Sequence, residues 1–203
     1  TSDVTPRFYA TPKIHKDPLK MRPIVSGINS ITYSLARHLA DILKPLVGTS
    51  PRHIENSKHL VEKLEEIEIE GEVLTSFDVT ALFTSVPGNE VVEMAVKRAK
   101  MDPTWNERTL MTPEEFGDLL KMVVETTYFR YNDKIYEQTY GMAMGSPLSH
   151  VLSNLFMEEF EEDALATAPY PPKLLGHYVD DTGVVIRKAH EDDLFNHIDI
   201  QHE

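Results

Sequence analysis

At 203 residues, 41% of them apolar and 26% charged, the chain is large enough for one sizeable domain or two small ones and can bury a core without staples. It has no cysteine, which excludes disulfides, thiolate catalysis and cysteine-bound zinc or iron–sulfur sites. No apolar run reaches the length of a membrane span and no signal peptide opens it, so an intracellular location, nucleus or cytoplasm, is expected. The net charge of −13 is awkward for a nucleic-acid binder, yet residues 1–58 hold nine Lys/Arg against four acids and leave −18 for the rest, so any anion binding is expected in the N-terminal part, while charge alone favours chance clustering on a solvated face.

In chain order, residues 6–28 read as extended, with Phe8, Tyr9, Ile14, Ile24 and Val25 punctuated by Pro6, Pro12, Pro18 and Pro23. Lys13, His15, Lys16, Lys20 and Arg22 stud this stretch. Leu35, Leu39, Ile42, Leu43 and Leu46 recur at helical spacing and predict a helix from Ser30 to about Val47, ended by Pro45 and Gly48. A second helix is predicted from Asn56 to about Ile67, with a solvated acidic face. Gly71 breaks the chain, and Glu72–Val79 reads as a buried strand carrying Asp78.

Pro87-Gly88-Asn89 starts a helix that should reach about Lys100. Thr112-Pro113-Glu114-Glu115 is a capping-box signature opening a helix to about Tyr128, with Phe116, Leu119, Leu120 and Val123 inward. Phe129-Arg130-Tyr131, Asn132-Asp133 and Lys134-Ile135-Tyr136 spell a β-hairpin. After the small-residue stretch Gly141–Gly145, a helix begins near Ser146 or Pro147. Leu148, Val151, Leu152, Leu155 and Phe156 form its stripe, and the acids of 158–163 end it. Leu174–Val179 and Gly183–Arg187 look like two strands folding back across Asp180-Asp181. This order is not regular βαβ alternation, and it predicts an α+β layer structure with a mostly antiparallel sheet.

The chemistry-bearing residues are the adjacent Asp180 and Asp181, with Asp78 far upstream, each after a short apolar β-prone stretch. Side-by-side carboxylates repel, and a hard divalent cation is the simplest compensation. Mg²⁺ is usually held by one or two carboxylates plus substrate phosphates, so phosphoryl transfer is the first reading. The plain alternative for Asp180-Asp181-Thr182-Gly183 is a solvated turn. If the strands pair as expected, Asp78 sits at one strand end beside a hairpin tip carrying Asp180 and Asp181. The nine histidines show no zinc-like H-x₃-H spacing and read as surface or structural. Trp105, following Pro103 in a loop, reads as a packing anchor rather than a base-stacking platform.

Three segments together resemble one family. Residues 76–87, Ser-Phe-Asp-Val-Thr-Ala-Leu-Phe-Thr-Ser-Val-Pro, look like motif A of reverse transcriptases. Residues 144–149, Met-Gly-Ser-Pro-Leu-Ser, resemble motif B, and Tyr178-Val179-Asp180-Asp181 resembles motif C. Pro12-Lys13 and Arg22-Pro23-Ile24-Val25 resemble the fingers motifs, and the wording of residues 11–16 and 141–147 is most similar to the Penelope-like retroelement branch. The resemblance runs over nearly the whole chain in the right order.

It implies the fingers–palm part of a right-hand polymerase, an antiparallel palm sheet packed on helices without a thumb. Residues 1–70 would be fingers, 71–88 the palm strand with motif A, 89–139 a fingers/palm insertion of helices and a hairpin, and 140–203 the palm with motifs B and C. The implied activity is RNA-directed DNA synthesis by two-metal phosphoryl transfer, with Mg²⁺ or Mn²⁺, an RNA template, a DNA primer and dNTPs. By the same resemblance Asp78, Asp180 and Asp181 would hold the ions, and the Val79 carbonyl would add a ligand. Lys13 and Arg22 would take triphosphate oxygens, Phe83 would exclude a 2′-hydroxyl, and Met144 and Gly145 would line the nucleotide. Tyr178 and Ser149 would face primer and template. Met144 stands where many members have Gln, and His150 where Pro is usual. The start at Thr1 and the stop at Glu203 read as a fragment, without the thumb and endonuclease regions of a longer polyprotein. Two other readings stand beside this one: a degenerate or domesticated remnant that binds nucleic acid or protein, and a palm-type polymerase using ribonucleotides.

Overall fold

A computed structural model describes residues 4–14 and 17–200, so His15 and Lys16 of the basic stretch lie outside the described residues. The elements in order are β1 (Arg7–Lys13), β2 (Lys20–Ser26), α1 (Tyr33–Leu43), α2 (Ser57–Glu65), β3 (Glu72–Asp78), α3 (Leu82–Ser85), α4 (Gly88–Met101) and α5 (Trp105–Arg108). They continue with α6 (Pro113–Glu125), β4 (Tyr128–Tyr131), β5 (Lys134–Glu137), α7 (Pro147–Ala166), β6 (Leu174–Tyr178), β7 (Asp181–Arg187) and α8 (Glu191–Ile200). The fold is α+β, with two sheets ordered β2-β1-β4-β5 and β3-β7-β6. No helix among the described residues is long and apolar enough to cross a membrane.

Two compact units interleave along the chain. One takes residues 1–47 and 81–155, the other 48–80 and 156–203. In the first, β1 and β2 form an antiparallel pair and β4–β5 a hairpin joined to β1 by one parallel bridge. Asn132 and Asp133 take left-handed φ values of 47° and 57°, the backbone that a two-residue hairpin turn requires. Helices α1, α4 and α6 pack together over buried Leu39, Leu43, Val91, Ala95, Phe116 and Leu120. The Thr112 hydroxyl accepts from the Glu115 N–H and the Glu115 carboxylate from the Thr112 N–H, so the capping box is complete. Trp105 is buried edge-on against Phe116, with its ring N–H donating to the Met111 carbonyl at 2.7 Å. It lies in the helical turn α5 rather than in a loop, and packs as an anchor.

The second unit is built on β3-β7-β6, all antiparallel. Leu175, Val184, Ile186 and Leu194 form its buried core, with Val73, Phe77, Leu165 and Ile198 packed around them. Residues 156–166 of α7 belong here, while its first turns belong to the first unit. The predicted stripe of Leu148, Val151, Leu152, Leu155 and Phe156 is buried throughout. Glu158 and Glu161 are buried too, and the acidic run does not end the helix, which continues to Ala166.

Two boundaries moved for local reasons, and one helix went unpredicted. The first helix ends at Leu43 and tightens into a 3₁₀ turn over Lys44–Leu46, because Pro45 cannot donate to the helical ladder. Helix α6 stops at Glu125 as β4 begins. Helix α8 escapes periodicity because only Leu194 among its residues is fully buried.

On the edge of the second unit, Lys173 Nζ lies 2.9 Å from Glu72 Oε1 and donates to the Glu68 carbonyl at 2.9 Å. The Lys173 hydrogen bond, against an opposing effect of burial, holds the Glu72 carboxyl below its ordinary range. A carboxyl depressed by folding stabilises above its unfolded pKa, and that stability fades as pH falls through the lowered value. Lys173→Met should therefore lower the melting temperature at pH 7 by roughly a degree or two. The gap from wild type should close on acidification below the carboxylate range, which melting curves at several pH values will read.

Candidate active site

Strand β3 ends on Asp78, and its pairing with β7 sets the site's geometry. Phe77 is opposite Thr182 and Asp78 opposite Asp181, while Tyr178 of β6 is opposite Asp181 on its other side. The β6–β7 connection is therefore a two-residue turn of Val179 and Asp180. The Val79 N–H donates to the Asp180 carbonyl at 3.0 Å, which ties the end of β3 to that turn. Alternation sends Phe77 into the core and Asp78 to the opposite face. Asp78, Asp180 and Asp181 are all exposed.

Two features of this corner bear on the choice between a cation site and a solvated turn. Asp78 and Asp181 stand directly opposite on neighbouring strands, where like charges destabilise the pair and Cβ atoms lie about 4.5–5.5 Å apart. Val179 takes φ of 58°, a left-handed backbone that costs a β-branched residue on the order of 1–3 kcal/mol. The sequence places charge repulsion and backbone strain together at a strand end. A shared cation would relieve the first, and the aim of Asp180 would justify the second.

The donor set suits a hard cation: carboxylate and carbonyl oxygens, exposed, with no sulfur or imidazole among them. The carboxylates are adjacent along the backbone without being drawn tightly together. Among the described residues, the one group of three acidic or imidazole side chains whose ligand atoms all lie within 4.8 Å of one another is His53, Glu158 and His177. That group has no local sequence signature, its members being far apart in the chain, and motif spacing missed it. A cavity of about 340 Å³ carries Asp78 on its wall, beside Phe77, Met157, Phe160, Leu165 and Phe195. Those walls are mainly apolar and unsuited to a triphosphate.

The remaining predicted residues divide between the units. Tyr178 is half-exposed on β6, next to the Val179–Asp180 turn. In the other unit, register pairs Lys13 with Lys20 and Thr11 with Arg22, so Lys13, Lys20 and Arg22 share one face of the β1–β2 hairpin. These cations on one face could cradle an anion. Phe83 is half-buried in α3, and its carbonyl accepts from the Met142 N–H at 2.5 Å. The Met144 carbonyl accepts from the Val25 N–H at 2.7 Å. These bonds tie the second half of the 76–87 segment and the 141–145 loop into the same unit as β2.

Gly145 has φ of 121°, and a Cβ there would lie 2.3 Å from the Val25 carbonyl oxygen. Its requirement for glycine is set by backbone inside its own unit, before any substrate is considered. Ser149 is also occupied internally: it is 4% exposed and its hydroxyl donates to the Ala143 carbonyl at 2.8 Å. It shapes the loop rather than presenting a hydroxyl to a template. His150 is exposed on α7.

A family model described as reverse transcriptase (RNA-dependent DNA polymerase) matches residues 14–203. No curated protein sequence matches. Among solved structures, a Candida tropicalis telomerase in complex with a TWJ fragment of telomeric RNA is similar at 12% identity and TM-score 0.68, over 97% of this chain and 38% of that one. A Candida albicans telomerase with the same kind of RNA fragment aligns at 12% identity and TM-score 0.67, over 98% and 40%. Apo telomerase of Candida tropicalis truncated from its C-terminal domain aligns at 13% identity and TM-score 0.62, over 97% and 45%. The chain thus spans less than half the length of these structures, and at such identities the likeness is one of fold.

Proposed function

Because this chain belongs to the reverse transcriptase (RNA-dependent DNA polymerase) family, we propose that it carries the nucleotidyl-transfer site of an RNA-directed DNA polymerase, adding dNTPs to a DNA primer on an RNA template. The observation that carries this reading is the register of β3 against β7, which sets Asp78 opposite Asp181 beside the strained turn holding Asp180. Asp78, Asp180 and Asp181, with the Val79 carbonyl, would hold two Mg²⁺ or Mn²⁺ ions. Bound there, such ions supply Lewis acidity for the attacking hydroxyl and the leaving pyrophosphate.

The chain's own residues do the positioning. Lys13 and Arg22 bind triphosphate oxygens, Arg22 through a planar fork that can take two at once. Lys20 shares their face and adds charge. Phe83 stacks under the sugar and excludes a 2′-hydroxyl. Tyr178 lies beside the primer terminus, and Gly145, Met144 and Ser149 fix the loop that borders the nucleotide. The wording of residues 11–16 and 141–147 supports a Penelope-like retroelement as the source.

Arg22→Ala should raise the apparent KM for dNTP about tenfold or more while changing that for primer–template little, since one charge-assisted contact is worth roughly 1.5–3 kcal/mol. Steady-state kinetics decide this, and equal effects on both substrates count against a triphosphate role. Phe83→Ala should relax discrimination against ribonucleotides; unchanged discrimination would favour the ribonucleotide-polymerase reading. The net charge of −13 favours a second reading, a catalytically silent remnant that binds protein or nucleic acid. Primer extension on an oligo-primed RNA separates the two, because a remnant incorporates nothing.

A further inference from the structure

The loop before α2, the second half of α7 and strand β6 bring three side chains together on the second unit. Backbone pairing begins it. The His177 N–H donates to the Arg52 carbonyl and the Ile54 N–H to the His177 carbonyl, both at 2.9 Å, so residues 52–54 run beside β6 and His53 bridges to His177. This approach needs glycine at 176, where a Cβ would sit 2.8 Å from Ile54 Cγ1. The two imidazole rings then lie with centroids 5.7 Å apart, at 73°. Glu158, 1% exposed on α7, accepts the Gly48 N–H at 2.6 Å.

The chemistry of His177 is the informative part. It is fully buried, and its Nδ1 lies 2.8 Å from Glu161 Oε2. A carboxylate accepts, so this contact selects the tautomer with the proton on Nδ1, in which Nε2 is a lone pair. That Nε2 is buried with no hydrogen-bond partner, and so is Nδ1 of His53. Buried polar atoms are rarely left so, and an ion or water is the usual answer. A histidine held by a carboxylate through one nitrogen, its other nitrogen unpartnered, and clustered with a second imidazole and a second carboxylate, has the arrangement of a metal ligand with its supporting partner.

We infer that His53, Glu158 and His177 bind one transition-metal ion of the zinc class, with Glu161 as the positioning residue behind His177. Their ligand atoms lie within 4.8 Å of one another. A tetrahedral site with bonds of about 2.0–2.1 Å spaces its ligands by roughly 3.3 Å, so the side chains draw in by at most about 1.5 Å. Two imidazole nitrogens and one carboxylate oxygen select zinc over magnesium or calcium, which take oxygen ligands. The ion would clamp loop, helix and strand immediately before Tyr178, and so stiffen the base of the hairpin that carries Asp180 and Asp181. The inference stands on this cluster alone and not on the polymerase reading.

The test is Zn²⁺ titration of the chelator-stripped chain in millimolar Mg²⁺, by calorimetry with chelator competition, and Co²⁺ titration by visible absorption. Expected are one Zn²⁺ per chain with Kd of about 1 µM or tighter, and a Co²⁺ d–d band of a four- or five-coordinate site. His177→Gln should weaken Zn²⁺ binding at least about a hundredfold, and Glu161→Gln, which touches no ion, about 10–100-fold. Asp78→Asn should leave stoichiometry and affinity unchanged. If His177→Gln fails to fold by circular dichroism, the half-buried His53→Gln replaces it, with the same expected loss. No stoichiometric binding by the wild-type chain, binding indifferent to the histidine variants, or binding lost on Asp78→Asn would each overturn the inference. So would stabilisation that follows protonation of the histidines and ignores Zn²⁺.

Discussion

Asp180→Asn should cut dNTP incorporation by at least about a thousandfold, roughly 4 kcal/mol of transition-state stabilisation, while the chain melts no lower than wild type. The two halves of this result come from one geometry. Asp180 is exposed in a two-residue turn, and its backbone carbonyl, not its carboxylate, accepts the Val79 N–H that ties the turn to β3. Amide for carboxylate keeps the shape and leaves that bond in place. It also removes one of three negative charges crowded at the corner, so folding gains slightly or stays level. What the proposed site would lose is a charged ligand for a hard cation. Single-nucleotide incorporation together with a thermal melt reads both, and a variant that loses activity only because it unfolds would show a lowered melting temperature.

Gly145→Ala should destabilise the chain by on the order of 3 kcal/mol or more, a fall in melting temperature of roughly 6–12 °C, in the absence of any substrate. The backbone there has φ of 121°, a region open to glycine and closed to alanine, and the added methyl would lie 2.3 Å from a carbonyl oxygen of β2. Neither obstacle is a flexible side chain that could swing away. Family resemblance implies that this glycine spares room for nucleotide or template; the packing adds an earlier demand, that the motif B loop must lie against Val25 for the unit to close. Thermal melting without ligand separates the two. An unchanged melting temperature with a raised KM for dNTP would mean that the glycine serves the substrate alone.

The legible parts of the fold were those with a local physical cause. The capping box of Thr112 and Glu115 forms both its hydrogen bonds because helix-start chemistry acts over three residues. Asn132-Asp133 turns where left-handed backbone is cheap. Asp78, Asp180 and Asp181 could be placed at strand ends because apolar β-prone runs precede them, and the pairing of β3 with β7 sets them side by side.

What stayed hidden depends on contacts distant in sequence. Glu158 and Glu161 look like the end of a helix because periodicity follows the apolar stripe and cannot see that both carboxylates are buried. His53 and His177 carried no metal-like spacing, since a strand and a loop bring them together rather than successive helical turns. Ser149 could be matched to a motif, but only packing reveals that its hydroxyl is already committed to Ala143. The interleaving of segments 48–80 and 156–203 follows from β3–β7 pairing, a long-range choice that no local pattern encodes.

The most direct test of the account is Mn²⁺ binding followed by electron paramagnetic resonance, with dNTP present, in the wild-type chain and in Asp78→Asn. If the carboxylates of β3 and β7 share cations, the wild-type chain takes up two Mn²⁺ with the nucleotide, and Asp78→Asn loses most of that uptake while His177→Gln retains it. Mn²⁺ uptake that is the same with and without the Asp78 carboxylate would contradict the assignment of this strand corner as the catalytic centre.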